Sequence, residues 1–96
     1  MSDVINGAVE ALKAKLGDGG FDASVKFAIR DEGSIVVDSD GVRASDEDTA
    51  CTLTASADTF EAMMDGSLNP TVAFMTGKLS VDGDMGIAMR LGALLG

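Results

Sequence analysis

The segment from Asn69 to Leu91 constrains the fold more than any other part of this 96-residue chain, because its residues define where three elements begin and end. Asn69 can accept hydrogen bonds from the free N–H groups of a helix, and Pro70 carries the φ angle that the first helical position favours. Gly77 can adopt the left-handed conformation in which such a helix commonly ends. The segment is therefore predicted to open with a short, capped helix.

A strand and a second helix complete this segment. Leu79 and Val81 alternate with polar residues, which is the period of a half-buried strand. Asp84 follows a glycine and can cap a last helix that is apolar nearly all round. A helix of this kind is expected to be buried on more than one side. A chain this short has little protein left to cover the second side, so a bound lipid, a partner subunit or a membrane would have to do so.

Upstream of this segment, apolar periodicity predicts a helix, four strands and another helix. Three or four consecutive antiparallel strands between helices indicate an α+β domain with one sheet covered on one face. The length predicts a single domain over residues 1–96. Ser2 or Asp3 caps the first helix, which ends at Gly17. The strands span 23–30, 34–38, 42–45 and 49–54. Asp58 caps the second helix, with Glu61 completing a capping box, and this helix runs through Met64.

The charge of the chain argues against several classes of partner. The net charge of −9 is unfavourable for nucleic acid, which requires clustered lysine and arginine, and for electrostatic docking on anionic lipid. Seven acidic residues against Arg43 alone lie between positions 31 and 48. This stretch is either a solvated acidic face or a docking patch for a basic partner.

Catalytic chemistry finds little support in the sequence. The chain has no histidine, and a lone Cys51 in a threonine-rich strand has no evident base. The residues 38–41 fit a hairpin turn better than a calcium loop, because Val42 and Thr49 occupy positions where that loop needs acceptors. We therefore expect no enzyme activity, no metal and no cofactor.

The sequence also predicts whether the protein inserts into a membrane and which cellular compartment it occupies. No apolar run approaches the ~20 residues needed to cross a bilayer, so no stable membrane insertion is expected. A single cysteine fits a reducing compartment, and neither an N-terminal signal nor a C-terminal peroxisomal signal is evident, so we expect a cytoplasmic protein.

The segment 69–91 reads Asn-Pro…Phe…Gly-Lys-Leu…Gly-Asp-Met-Gly…Ala-Met-Arg-Leu. It resembles the closing segment of the type-two sterol carrier protein family, also called non-specific lipid-transfer proteins. The resemblance implies a five-stranded, mixed, mostly antiparallel sheet covered by helices that enclose an apolar tunnel. It also implies a non-catalytic domain that holds a fatty acid, fatty acyl-CoA, sterol or phospholipid chain, as a monomer or weak homodimer.

The resemblance also indicates the tunnel wall. By composition alone, the methionine-rich C-terminal part is more typical of a plain core, although methionine also suits a surface that accommodates several apolar shapes. The alternative function is an interaction module that docks its apolar C-terminal helix on an enzyme or on a second copy of itself. Gly92 stands where animal members of the family often have glutamine, so little discrimination between lipid head groups is expected. The predicted wall residues are Phe60, Met63, Met64, Phe74, Met75, Ile87, Leu91 and Leu94, with Phe27 and Val37 as weaker candidates on strands.

Overall fold

A computed structural model describes residues 3–17 and 21–95, without the side chain of Leu95. Ser2, one of the two predicted caps of the first helix, lies outside the described residues. Nine elements follow one another within these described residues, close to their predicted positions. They are α1 (Asp3–Leu16), β1 (Val25–Ile29), β2 (Gly33–Asp38), β3 (Gly41–Ala44), β4 (Cys51–Ala55), α2 (Ala57–Met64), α3 (Pro70–Met75), β5 (Leu79–Gly83) and α4 (Met85–Leu95).

The five strands form one open, mixed sheet in the order β3-β2-β1-β4-β5. Neighbouring strands are antiparallel except β1 and β4, which pair in parallel with Val25 opposite Cys51. The mixed, mostly antiparallel sheet is as predicted. The local pattern could not show that β4 leaves its predecessor β3 and crosses to the far side of β1.

One face of the sheet carries the core. Strand residues on this face alternate with outward-facing ones, so Phe27 and Leu53 are 2% and 4% exposed. Leu12 of α1 and Leu91 of α4 pack into the same cluster and are fully buried. The helices therefore cover a single face, which is the α+β arrangement that the sequence predicts.

The opposite face has a local cover of its own over Val36, which is 1% exposed although both of its neighbours in β2 point to the core. In the sheet register Val36 lies between Lys26 and Arg43. The aliphatic stems of two such side chains can cover an apolar neighbour while their charged ends reach outward. Each charged end is held by a carboxylate from the segment that follows β3: Lys26 Nζ lies 2.9 Å from Asp46, and Arg43 lies 2.9 Å from Glu47.

Arg43 also donates hydrogen bonds to both carboxylate oxygens of Asp38, at 3.0 and 2.9 Å. We call Asp38, Arg43 and Glu47 the arginine clasp. Part of the acidic stretch 31–48 is thus used within the molecule, to hold the β3–β4 connection against the outer face.

Of the caps predicted for α2, α3 and α4, two agree with the structure. Asn69 Oδ1 accepts a hydrogen bond from the Thr71 N–H at 2.8 Å, and Asp84 Oδ1 accepts one from Gly86 at 2.8 Å. The prediction that Asp58 caps α2 is wrong, because Ser56 is the cap and accepts from the backbone N–H three residues on. Serine and aspartate cap equally well, and the end of β4 immediately before it brings Ser56 to the start of the helix.

Gly83 makes the closest backbone approach that a glycine makes in the described part of the chain. Its φ is +101°, and a Cβ built at this position would lie 2.4 Å from the carbonyl oxygen of Ala50. The next residue, Asp84, donates its N–H to the same oxygen at 3.2 Å. The close contact at Gly83 therefore holds the end of β5 against the start of β4. It also positions Asp84, the residue from which α4 begins.

We expect Gly83→Ala to destabilise the protein much more than Gly77→Ala. Gly77 also has a positive φ, of +80°, but a Cβ there would meet nothing within 4 Å. Its replacement should cost only the left-handed backbone penalty of about 1–2 kcal/mol. Gly83→Ala adds a clash with backbone, so its loss should exceed that of Gly77→Ala by more than ~1 kcal/mol. Urea unfolding measures both, and equal losses would contradict the close approach.

The arginine clasp predicts a pH dependence of stability. Hydrogen bonds from Arg43 hold the pKa of Asp38 and that of Glu47 below their usual values. Groups with lowered pKa values stabilise the fold above the unfolded-state values of ~3.9–4.3, and this stability is lost as the pH falls through the folded-state values. Arg43→Gln should therefore lower the free energy of unfolding at pH 7.

The same variant should also reduce the fall in stability between pH 7 and about pH 3, because the two carboxyls lose the partner that lowers their pKa values. Arg30→Gln, which changes an exposed arginine just after β1, serves as the control for the change in net charge. Denaturant unfolding at the two pH values measures the effect. A pH dependence in Arg43→Gln that equals that of the unmodified protein would contradict the role of the clasp.

Candidate functional site

Protein covers only one side of the last helix. Leu91 and Ala88 are buried against the sheet, whereas Met85, Met89 and Leu94 are 42%, 63% and 53% exposed. The neighbouring helix α3 is similar, and its most exposed apolar side chain is Met75, at 77%. Large apolar side chains that cluster on a surface commonly mark a binding site.

A cavity of about 260 Å³ lies between these two helices and the sheet. Of the described residues that line it, none is charged, and Thr71 has the one polar side chain. The lining comprises Phe27, Leu53, Met63, Pro70, Thr71, Phe74, Met75, Leu79, Val81, Met85, Ala88, Met89 and Gly92.

The sheet register builds the floor of the cavity. Phe27 of β1 lies opposite Leu53 of β4, and Leu53 lies opposite Val81 of β5. Because directly paired residues point to the same face, these three side chains form a row across the sheet. Leu79, two residues before Val81, extends the floor along β5.

The spacing of residues along α4 explains which of its side chains form a wall of the cavity. Met85, Met89 and Gly92 recur at intervals of four and three along α4 and therefore share one face of that helix. Gly92 lies close to α3, since a Cβ there would lie 3.6 Å from Cβ of Pro70. A larger residue at this position would project toward α3 and narrow the cavity.

The ten residues predicted from the sequence lie in different places. Phe27, Met63, Phe74 and Met75 line the cavity. Six do not: Val37 and Leu91 are fully buried in the core, Ile87 is half-buried and Leu94 exposed on α4, and Phe60 and Met64 line a second cavity between α1 and α2.

Sequence reasoning omitted the stripe of α4 that does line the cavity. It selected the stripe through Ile87 and Leu91, whereas Met85, Met89 and Gly92 face the space. Both stripes are apolar, so periodicity could not choose between them. Of the floor residues, Phe27 was predicted, whereas Leu53, Leu79 and Val81 were not, although alternation marks Leu79 and Val81 of β5 as inward-facing.

The cavity holds no group suited to catalysis among the residues described. Cys51 is a free, buried thiol, and burial raises its pKa, helped by the negative charges of Asp84 and Asp82. A raised pKa keeps the thiol protonated and unreactive. Residues 3–17 and 21–95 contain no group of three or more histidine, cysteine or carboxylate side chains placed to hold a metal ion. In the same residues, no helix combines the length and the apolar character needed to cross a membrane.

Comparison with known proteins places this architecture in a family. The model of the SCP-2 sterol transfer family matches residues 6–96. Sterol carrier protein 2 of Rattus norvegicus is 37% identical over 89 residues, which are 92% of this chain and 15% of that protein. Sterol carrier protein 2 of Homo sapiens is 37% identical over 86 residues, which are 88% of this chain and 15% of that protein. The chain thus spans about 15% of the length of these relatives.

A solved structure shares the fold over almost the whole chain. Sterol carrier protein-2 from Aedes aegypti, in complex with the C16 fatty acid palmitate, superposes with a TM-score of 0.77 at 22% identity. The match covers 99% of this chain and 96% of that one. The family match over residues 6–96, the relatives at 37% identity and the shared fold lead to one assignment: the chain belongs to the SCP-2 sterol transfer family.

Proposed function

We propose that this domain binds the hydrocarbon part of one long-chain lipid in the cavity between α3, α4 and the sheet, and that it carries out no chemistry on it. The observation that carries the proposal is the uncharged apolar cavity, whose mouth is bordered by exposed Met75 and Met89. The palmitate bound by the Aedes aegypti relative supports the same ligand class. Candidate ligands are a fatty acid, a fatty acyl-CoA, a sterol or the acyl chain of a phospholipid.

Burial of hydrocarbon supplies the affinity. Each CH₂ group removed from water contributes about 0.8 kcal/mol, so a long chain binds without a polar anchor. Thr71 offers one hydroxyl, and none of the described lining residues carries a charge that would select a particular head group. The domain should therefore accept several lipids of similar length.

The flexible side chains of the wall suit this low selectivity. Methionine is unbranched and polarizable, and it adapts to apolar surfaces of different shape. Met63, Met75, Met85 and Met89 all line the cavity. We propose that these four, with Phe27 and Phe74, contact the lipid, while Val37 and Leu91 support the wall from the core.

The composition of the cavity and the state of Cys51 bear on catalysis and on the cellular compartment of the domain. Cys51 does not line the cavity, and none of the described lining residues is a base that could activate the Thr71 hydroxyl, which supports a carrier over an enzyme. A free, buried thiol is compatible with the reducing cytoplasm, where we propose that the domain acts.

We expect palmitate to bind with saturation at one lipid per protein. Because a ligand that binds only the folded state stabilises it by mass action, a concentration of 100 times Kd should raise the free energy of unfolding by about 2.7 kcal/mol. Isothermal titration and urea unfolding with and without palmitate measure the two quantities. Absence of saturable binding, together with a concentration-dependent dimer, would favour the alternative of an interaction module.

We expect Met75→Asp to weaken palmitate binding at least tenfold, because an ionised carboxylate is costly to place against an apolar ligand. Val72→Asp is a matched control: it makes the same change on the same helix, at a side chain that is 48% exposed and does not line the cavity. Both substitutions alter exposed residues, so both variants should fold. Equal loss of affinity in the two variants would show that the site is misplaced.

A further inference from the structure

A second cavity, of about 320 Å³, lies between α1 and α2. Its walls are mainly apolar, with two carboxylates at the rim. The lining comprises Asp3, Val4, Gly7, Ala8, Ala11, Ala57, Phe60, Glu61 and Met64.

Side chains of β1 and α2 that line one cavity contact side chains that line the other. Helix α2 contributes to both, since Met63 lines the first cavity while its neighbour Met64 lines the second. Phe27 lines the first cavity and Phe60 the second, and these two rings touch edge-to-face with centroids 5.4 Å apart and planes at 74°. The aromatic pair and Met63 therefore form the partition.

This partition is made of groups that can move without breaking a hydrogen bond. Phe60 and Met63 have no polar side-chain atoms, and methionine has three rotatable bonds that let it fill irregular gaps. Both residues are almost fully buried, at 3% and 1% exposed, so any movement would be into one cavity or the other. The cavities on either side offer the space for it.

The size of the first cavity gives a reason for such a movement. Its 260 Å³ lies below the ~300–1,000 Å³ typical of pockets that enclose drug-sized ligands. The two cavities together fall inside that range. A chain as long as the C16 palmitate of the Aedes aegypti relative would gain further burial by extending past the partition.

We propose that the second cavity receives the far end of the same alkyl chain whose head lies at the mouth of the first, and that Phe60 and Met63 move aside as the chain enters. This inference rests on the proposed lipid-binding function. The charges favour this orientation, because the Asp3 and Glu61 carboxylates repel an anionic head from the second cavity. The methyl end meets no such barrier.

Gly7→Leu tests the proposal by filling the second cavity. A Cβ at Gly7 would meet nothing within 4 Å, so a side chain can be added there without a clash. Leucine is also a better helix former than glycine, so the variant should fold. Asn6→Leu is the matched control, since it adds an apolar side chain to the same helix at an exposed position that does not line the cavity.

The experiment measures Kd for saturated fatty acids of about ten to about eighteen carbons. In the unmodified protein and in Asn6→Leu, the affinity should rise about fourfold for each added CH₂. For the shortest chains, Gly7→Leu should have the same Kd as these two proteins. For the longest chains, its affinity should no longer rise with chain length. One lipid per protein is expected throughout.

Three results would overturn the inference: the same increment per carbon in Gly7→Leu as in the unmodified protein, an unmodified series that stops rising once the first cavity is filled, or two lipids per protein. In each of these cases the short chains still bind the first cavity, so lipid binding there stands, while the second cavity is excluded as the site for the far end of the same chain. Failure of every chain length to bind would instead reject the proposed function itself.

Discussion

The parallel pairing of β1 with β4 is the constraint on which the rest of the molecule depends. It places Phe27 beside Leu53, and the antiparallel addition of β5 then completes the row with Val81. Without this pairing β1 would have only β2 beside it, and the row would lose its continuity. Because β4 leads into α2 and β5 leads into α4, the same pairing brings both helices above this row.

The site exists because the chain carries more apolar surface than its own fold can bury. A chain of this size can support only one modest core, and α4 is apolar on more sides than that core can cover. Leu91 faces the sheet and is fully buried, while Met89 on another side of the helix is 63% exposed. A bound hydrocarbon chain would cover what the protein cannot, so ligand binding and folding use the same physical effect.

One charged cluster, the arginine clasp, lies on the opposite side of the sheet from this apolar region. The arginine clasp holds the β3–β4 connection over Val36, with the carboxylates of Asp38 and Glu47 on one guanidinium. None of the described residues that line the cavity is charged. The acidic composition of the chain thus has a local structural role on the outer face, and it leaves the cavity to hydrophobic burial.

The sequence by itself determined the order of the elements, the caps at Asn69 and Asp84 and the membership of the family, because these depend on short-range chemistry and on fixed spacing. It also indicated that α4 would need a cover beyond the protein. Only the tertiary structure decided which stripe of α4 faces the cavity. The stripe through Ile87 and Leu91 and the stripe through Met85 and Met89 are equally apolar, so periodicity does not distinguish them.

The tertiary structure also decided how the predicted wall residues are divided. Phe60 and Met63 are one turn apart on α2, and from the sequence both belong to a single tunnel. The fold places both in the partition between two cavities, where Met63 lines one cavity and Phe60 lines the other. Phe27, from a strand more than thirty residues earlier, packs against Phe60 there. Contacts between residues so distant in sequence depend on the crossing of β4 beside β1, and no local pattern encodes that crossing.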